Sequence, residues 1–278
     1  MVEKLKQPYV GVSGVISPEI QCTLEHLAKE AGLYNSGRLL ALGVKAVHKT
    51  QFLDIENKYG REWYPVGNDA FHQALRHDHL NPNTIAVAQT YFDTQHVGST
   101  DYRRQFLKRI ADRGQPWLQA IQFDMLPWHN NIDMLNFLEE VKKTGLELFL
   151  QAHKNAMEEL GPQGVVKKLR FYPELVDYLL FDSSHGTGKR LDVQTLEPFV
   201  AEAHAGLDLS QTGIAIAGGL NGVIVRQDLP ELVANYPNIS WDAEGQLHPL
   251  NEEVKRPLDL RVTQDYLWAS SEVLTTPW

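Results

Sequence analysis

The chain has 278 residues, of which 43% are hydrophobic and 22% charged, the balance of a globular fold with a sizeable core. Its formal net charge of -9 excludes a generic nucleic-acid or anionic-membrane surface, which it would repel, but not a small anion held by backbone amides. The single cysteine, Cys22, excludes an internal disulfide and a cysteine metal cluster, and it reads as a packing residue in a helix. No signal-type apolar run follows Met1–Pro8, and no apolar stretch reaches the roughly 18 residues of a spanning helix, so a cytoplasmic protein is expected.

In chain order, β-rich runs are predicted at Tyr9–Val12, Leu39–Val44, Thr84–Ala88, Trp117–Phe123, Leu146–Leu150, Tyr178–Phe181, Gly213–Ala217 and Ile239–Trp241. Several are nearly continuous apolar runs, as parallel strands buried on both faces require. Helical periodicity lies between them, at Ile20–Ala31, Asp101–Arg113, Ile132–Lys143, Thr195–Ala205 and Leu229–Ala234. Strand-end markers at Ser13, Val44, Gln89, Asp124, Gln151, Asp182, Gly218 and Asp242 recur in steps of 24 to 45 residues, each step holding one strand, one helix and two loops. Eight such units predict an α/β fold of one domain over residues 1–278, a (β/α)8 TIM barrel, with an open doubly wound sheet as the rival. The longest step contains residues 51–83, rich in aromatics and histidine, which read as an insertion or lid between strands 2 and 3, or as a decorated second helix.

In such a barrel the strand C-termini converge on the catalytic face, so Ser13, Gln89, Asp124, Gln151, Asp182 and Asp242 are expected to ring one mouth. The segment Asp182-Ser183-Ser184-His185-Gly186-Thr187-Gly188-Lys189 is a glycine-rich turn able to present amides to an anion, and His185, Gly186, Thr187, Gly188 and Lys189 form the candidate ligand loop. It is not a nucleotide P-loop, because Arg190 stands where that motif needs a hydroxyl. The paired glycines Gly218-Gly219, with the turn Asp242, Glu244 and Gly245, are the candidate phosphate grip, since loops after strands seven and eight commonly hold phosphate in this fold. His77-Asp78-His79 precedes a turn rather than ending a strand and reads as a solvated helix end, so no metal and no cofactor are expected. His153 and His185 lie nearer the predicted mouth. The expected partner is a small phosphorylated metabolite, with a homodimer left open and neither nucleic acid nor membrane involved.

At these segments the chain resembles the phosphoribosylanthranilate isomerase family. The stretch Leu180-Phe181-Asp182 with Gly186-Thr187-Gly188-Lys189-Arg190-Leu191-Asp192 is similar to that family's strand-six motif, Ala217-Gly218-Gly219-Leu220-Asn221 to its strand-seven phosphate motif, and Asp242 to Gly245 to its strand-eight turn. Val12-Ser13-Gly14 with Ser17-Pro18-Glu19 resembles its first strand and loop. The resemblance implies an Amadori rearrangement of an aminoaldose phosphate, with Asp182 as the acid. It places Ser13 where the family has its cysteine base and Asp124 where it has a histidine, and after strand two only Lys45 or Lys49 could partly stand in for the arginine that meets the anthranilate carboxylate. An unactivated serine is a poor base, so the implied isomerase reaction is expected to be inefficient unless Asp124 or His185 removes the proton. The expected function is a sugar-phosphate isomerase with an altered acid/base pair, or a non-catalytic ligand-binding or assembly protein on the same scaffold.

Overall fold

The computed structural model describes residues 5–56, 64–76, 81–91, 100–124, 126, 128, 131–172, 174–182, 190–248 and 257–276. Eight parallel strands close a barrel in sequence order. The chain runs β1 (Tyr9–Ser13), α1 (Pro18–Glu30), β2 (Leu39–Lys45), α2 (His48–Phe52), α3 (Asn68–Leu75), β3 (Thr84–Tyr91), α4 (Thr100–Gly114) and β4 (Ala120–Asp124). It continues through α5 (Asn131–Lys143), β5 (Glu147–His153), α6 (Lys154–Leu169), β6 (Tyr178–Asp182), α7 (Val193–Gly206), β7 (Gly213–Ala217), α8 (Gly222–Asp228), α9 (Pro230–Asn235), β8 (Ser240–Ala243) and α10 (Leu260–Thr275). The barrel replaces the open-sheet rival, because β1 pairs with β8 through Val10↔Trp241, Gly11↔Asp242 and Val12↔Ala243.

Side chains alternate along each strand, which sorts the sequence into two cores. One set, including Val10, Val12, Leu40, Leu42, Val44, Ile121, Phe123, Ile214 and Trp241, faces the helices. The other, Tyr9, Ala41, Ile85, Val87, Ala120, Phe149, Tyr178, Leu180 and Ala215, fills the barrel. Tyr9, Phe149 and Tyr178 meet in tilted and edge-on ring contacts at centroid distances of 4.4 to 5.1 Å and form an aromatic floor.

Within 51–83, α3 buries Phe71, Ala74 and Leu75 and packs beside α1 and α4, the place of the barrel's second helix. Cys22 is exposed, a correction to its reading as a packing residue: α1 buries Gln21, Leu24, Leu27 and Ala28, and position 22 falls off that stripe. Among the described residues no helix is long and apolar enough to cross a membrane, and no group of three or more His, Cys, Asp or Glu is placed to hold a metal ion.

Candidate polar site inside the barrel mouth

The same alternation builds the site. Above the floor, two or four residues further along the strands, the inward positions turn polar: Ser13 on β1, Gln89 on β3, Gln122 on β4, Gln151 on β5, Asp182 on β6 and Asp242 on β8. Ser13 Oγ donates to Asp242 Oδ1 at 3.3 Å, and Gln89 Nε2 lies 2.7 Å from Ser13 Oγ, 3.1 Å from Asp242 Oδ2 and 3.1 Å from Gln122 Oε1. Gln122 Nε2 donates to Gln151 Oε1 at 2.9 Å, and Gln151 Nε2 to Asp182 Oδ2 at 3.0 Å. One continuous hydrogen-bonded chain thus links the carboxylates of Asp242 and Asp182 through three glutamines.

Two glycines make the chain sterically admissible. A Cβ on Gly11 would lie 2.5 Å from Asp242 Oδ1, and one on Gly43 would lie 2.5 Å from Gln89 Cδ. The missing side chains let Asp242 and Gln89 lie across β1 and β2 and meet inside the barrel. Gly43→Ala is therefore expected to push the Gln89 amide off Ser13 and Asp242. A loss of about 1–3 kcal/mol, read from the denaturant midpoint, is the scale for overpacking of this kind; an unchanged midpoint would show that the Gln89 amide has room to move.

Asp242 is buried. Burial raises its pKa most, Glu244 and more weakly Asp182 raise it further, and Lys45 and the Ser13 hydroxyl oppose them, leaving it at about 7. Lys45 Nζ lies 2.7 Å from Glu244 Oε2, an ion pair above the polar layer. His248, also buried, has Nε2 3.2 Å from the Ser13 carbonyl oxygen and covers this side of the site.

The residues proposed from sequence separate as follows. Ser13, Asp182 and Asp242 share the hydrogen-bonded chain. Asp124 ends β4 half-buried, paired in register with Tyr91, and the chain passes through Gln122 below it. The Asp242 side chain points into the barrel, and Glu244 is turned to Lys45. Gly245 opens a short 3-10 turn, Gly245–Leu247. Gly218 and Gly219 have φ of 123° and 57°, positive values that favour glycine. Asn221 caps α8 by accepting the Ile224 N–H at 3.0 Å. His185, Gly186, Thr187, Gly188 and Lys189 lie outside the described residues, as does His77-Asp78-His79. At the rim, Tyr64 packs with Val47 and Tyr91, so part of the 51–83 segment reaches the β2–β3 side of the mouth.

Sequence reading named Lys45 only as a partial stand-in for an arginine, and missed Gln122, His248 and the two clearing glycines. Strand parity carries the signal for three of them: in Leu39-Leu40-Ala41-Leu42-Gly43-Val44-Lys45, the marker Val44 faces the helices, and Gly43 and Lys45 share the inward face with Ala41. Gln122 lies two residues before the marker Asp124 on the same face. No local pattern marks His248.

No family model and no curated protein matches the chain. Solved structures do match in fold. The tryptophan synthase alpha chain from Legionella pneumophila subsp. pneumophila superposes with a TM-score of 0.55 at 14% identity, over 96% of this chain and 92% of that one. Tryptophan synthase of Mycobacterium tuberculosis gives 0.51 at 13% identity, over 98% and 94%. The tryptophan synthase a2b2 complex of Pyrococcus furiosus gives 0.52 at 15% identity, over 98% and 99%. These findings overturn the resemblance to phosphoribosylanthranilate isomerase. That reading rested on short glycine-rich strand ends, which any barrel that brings backbone close to a ligand has reason to carry, and which therefore separate barrel families poorly. The chain is a (β/α)8 barrel sharing its fold, across nearly its whole length, with tryptophan synthase alpha chains.

Proposed function

We propose that this protein is an enzyme that moves a proton on a small phosphorylated metabolite bound at the barrel mouth. Asp242 carries the proton, and Asp182 is the fixed carboxylate partner. The supporting observation is the enclosed Asp242, hydrogen-bonded by Ser13 and Gln89 and held near pKa 7, where a carboxyl group can both give and take a proton at neutral pH. The phosphate is assigned to backbone N–H groups of Gly218-Gly219 and of the 242–245 turn. Lys45, paired with Glu244 of that turn, brings a basic side chain beside it.

The test is a thermal-shift and calorimetric screen of small phosphate esters against the unmodified protein and Gly219→Asp. Aspartate tolerates a φ of 57° better than most residues, so the loop keeps its path while a negative charge enters the grip. Affinity is expected to fall by at least tenfold, the scale of one lost charge-assisted hydrogen bond. Undiminished phosphate-ester binding by Gly219→Asp would sink this grip. A second reading, a non-catalytic ligand-binding or assembly subunit, is favoured by Tyr64, which packs onto Tyr91 at the rim; the a2b2 association named for the Pyrococcus furiosus protein is a precedent for it. Ester binding without any chemical change of the ester would favour that reading.

A further inference from the structure

We infer that Lys45 is a nucleophile at the barrel mouth, forming a Schiff base with the carbonyl group of a small phosphorylated ketone or aldehyde while Glu244 takes up its proton. The inference rests on the reading above and deepens it, since it names the carbonyl class of the metabolite and the means by which its proton becomes removable.

Lys45 is the last residue of β2. Alternation places it on the inward side with Ala41 and Gly43, and its register partner is Gln89, whose amide lies 2.7 Å from Ser13 Oγ and 3.1 Å from Asp242 Oδ2. The lysine therefore stands at the outer edge of the polar layer, close enough for its charge to counter the effect of burial on the Asp242 carboxyl. Its ammonium donates to Glu244 Oε2 at 2.7 Å, which occupies one of its three N–H bonds. The Lys45 side chain is 11% exposed and that of Glu244 34%, so the pair is largely withdrawn from water yet still reached from the mouth. Such a pair is a poor stabilising device, because the desolvation of two charges offsets their attraction. The same cost favours chemistry. Moving the proton from Nζ to Oε2 removes both charges and leaves a neutral amine, the form that attacks carbonyls.

The steps balance with no co-reactant but the carbonyl compound. The Nζ lone pair forms a bond to the carbonyl carbon as the C=O π pair moves to oxygen. Two protons from the nitrogen reach that oxygen, one of them held meanwhile by Glu244. The C–O bond then breaks, water leaves, and an iminium remains on Lys45. Its nitrogen withdraws electrons from the adjacent carbon. When the C–H bond there breaks, its electron pair becomes a C=C bond, the C=N π pair returns to nitrogen, and the proton goes to the Asp242 carboxylate, the proton carrier of the reading above. Return of the proton and addition of water restore Lys45 and release the product.

Reductive trapping tests this. Sodium cyanoborohydride reduces an iminium to a stable secondary amine. The full chain incubated with dihydroxyacetone phosphate and this reductant is expected to gain the mass of the ketone less one oxygen, with the label mapped to Lys45 by peptide mass spectrometry. Labelling of Lys45 is expected to be at least roughly tenfold faster than of any other lysine, as a positioned nucleophile requires, and to be suppressed by glycerol phosphate, which has the phosphate but no carbonyl. Lys45→Arg keeps the charge against Glu244 and is expected to lose the fast phase while staying folded by circular dichroism. Glu244→Gln is expected to slow labelling by roughly two powers of ten; an unchanged rate overturns the proton transfer. Calorimetry with glycerol phosphate tests the underlying reading separately. If glycerol phosphate binds and Lys45 labels no faster than other lysines, the inference alone has failed. If Lys45 labels as fast with dihydroxyacetone as with its phosphate, the Schiff base stands and the phosphate grip has failed. If glycerol phosphate does not bind and Lys45 is not labelled, both have failed.

Discussion

Asp242→Asn is expected to make the protein more stable than the unmodified chain above neutral pH, and at the same time to abolish most of its turnover. The folded carboxyl has a pKa of about 7, well above its ordinary value of 3.8. The folded state therefore binds more protons than the unfolded state between those values, and stability falls as pH rises through that window. At pH 8 the native state carries the full cost of an enclosed anion, up to about 4 kcal/mol for a shift of roughly three pKa units. Asparagine removes the charge and keeps the shape. It retains an oxygen for the Ser13 hydroxyl, and its N–H2 meets Gln89, whose Oε1 is buried without a partner and can accept once that amide turns. Denaturant midpoints of the two proteins at pH 5 and pH 8 are the measurement: a gap in favour of the Asp242→Asn protein that widens with pH is expected, and parallel profiles would show that Asp242 is ionised at ordinary cost. If Asp242 is the proton carrier proposed above, its loss lowers turnover by roughly two to four powers of ten. An active Asp242→Asn protein would move the acid/base role elsewhere in the mouth.

At the opposite end of the barrel the largest expected loss of stability is at Arg38, just before β2. It is 1% exposed, donates Nη2 to the Pro237 carbonyl at 2.7 Å and Nη1 to the Ile239 carbonyl, and lies 4.5 Å from the Trp241 ring centroid. The guanidinium thus ties the start of β2 to the chain entering β8, around the seam that β1 closes. Burial holds its pKa down to about 9, still high enough to keep it charged at neutral pH. Arg38→Met retains an unbranched side chain but removes both donors and the stacking charge. A loss of about 3 kcal/mol is expected from two unpaired carbonyls and the stacking contact, or roughly 6–12 °C in Tm for a domain of this size. A change under about 1 kcal/mol would mean that water satisfies those carbonyls without the guanidinium. Because Arg38 is far from the mouth, ligand affinity measured well below Tm should not move.

The comparison of sequence and structure divides along a physical line. The strands were legible because each is a short, nearly unbroken apolar run, and the observed elements differ from the predicted ones mainly by a few residues at their ends, with Gly213–Ala217 unchanged. Helices α1, α4, α5 and α7 were legible because each keeps an apolar stripe at helical spacing against the barrel. Helix α6 was not, since Gly161-Pro162 interrupts it at a φ of 63° and its apolar residues follow no single face. The second barrel helix, α3, hid in the long step because only eight residues form it. The isomerase family assignment failed because glycine-rich strand ends answer to a requirement shared by many barrels.

The sequence by itself determined the eight alternating strand and helix units, the strand ends that form the mouth, and the presence there of Ser13, Gln89, Gln151, Asp182 and Asp242, because strand repeats and polar strand ends are local properties of the chain. Only the tertiary structure decided what those residues do to one another. That Gly11 and Gly43 clear the space for Asp242 and Gln89, that Gln122 completes the chain to Asp182, and that Lys45 meets Glu244 all follow from barrel closure and strand register. Closure sets β8 beside β1 and lets Gln89 reach Asp242, 153 residues away along the chain, and no local pattern carries information over that distance.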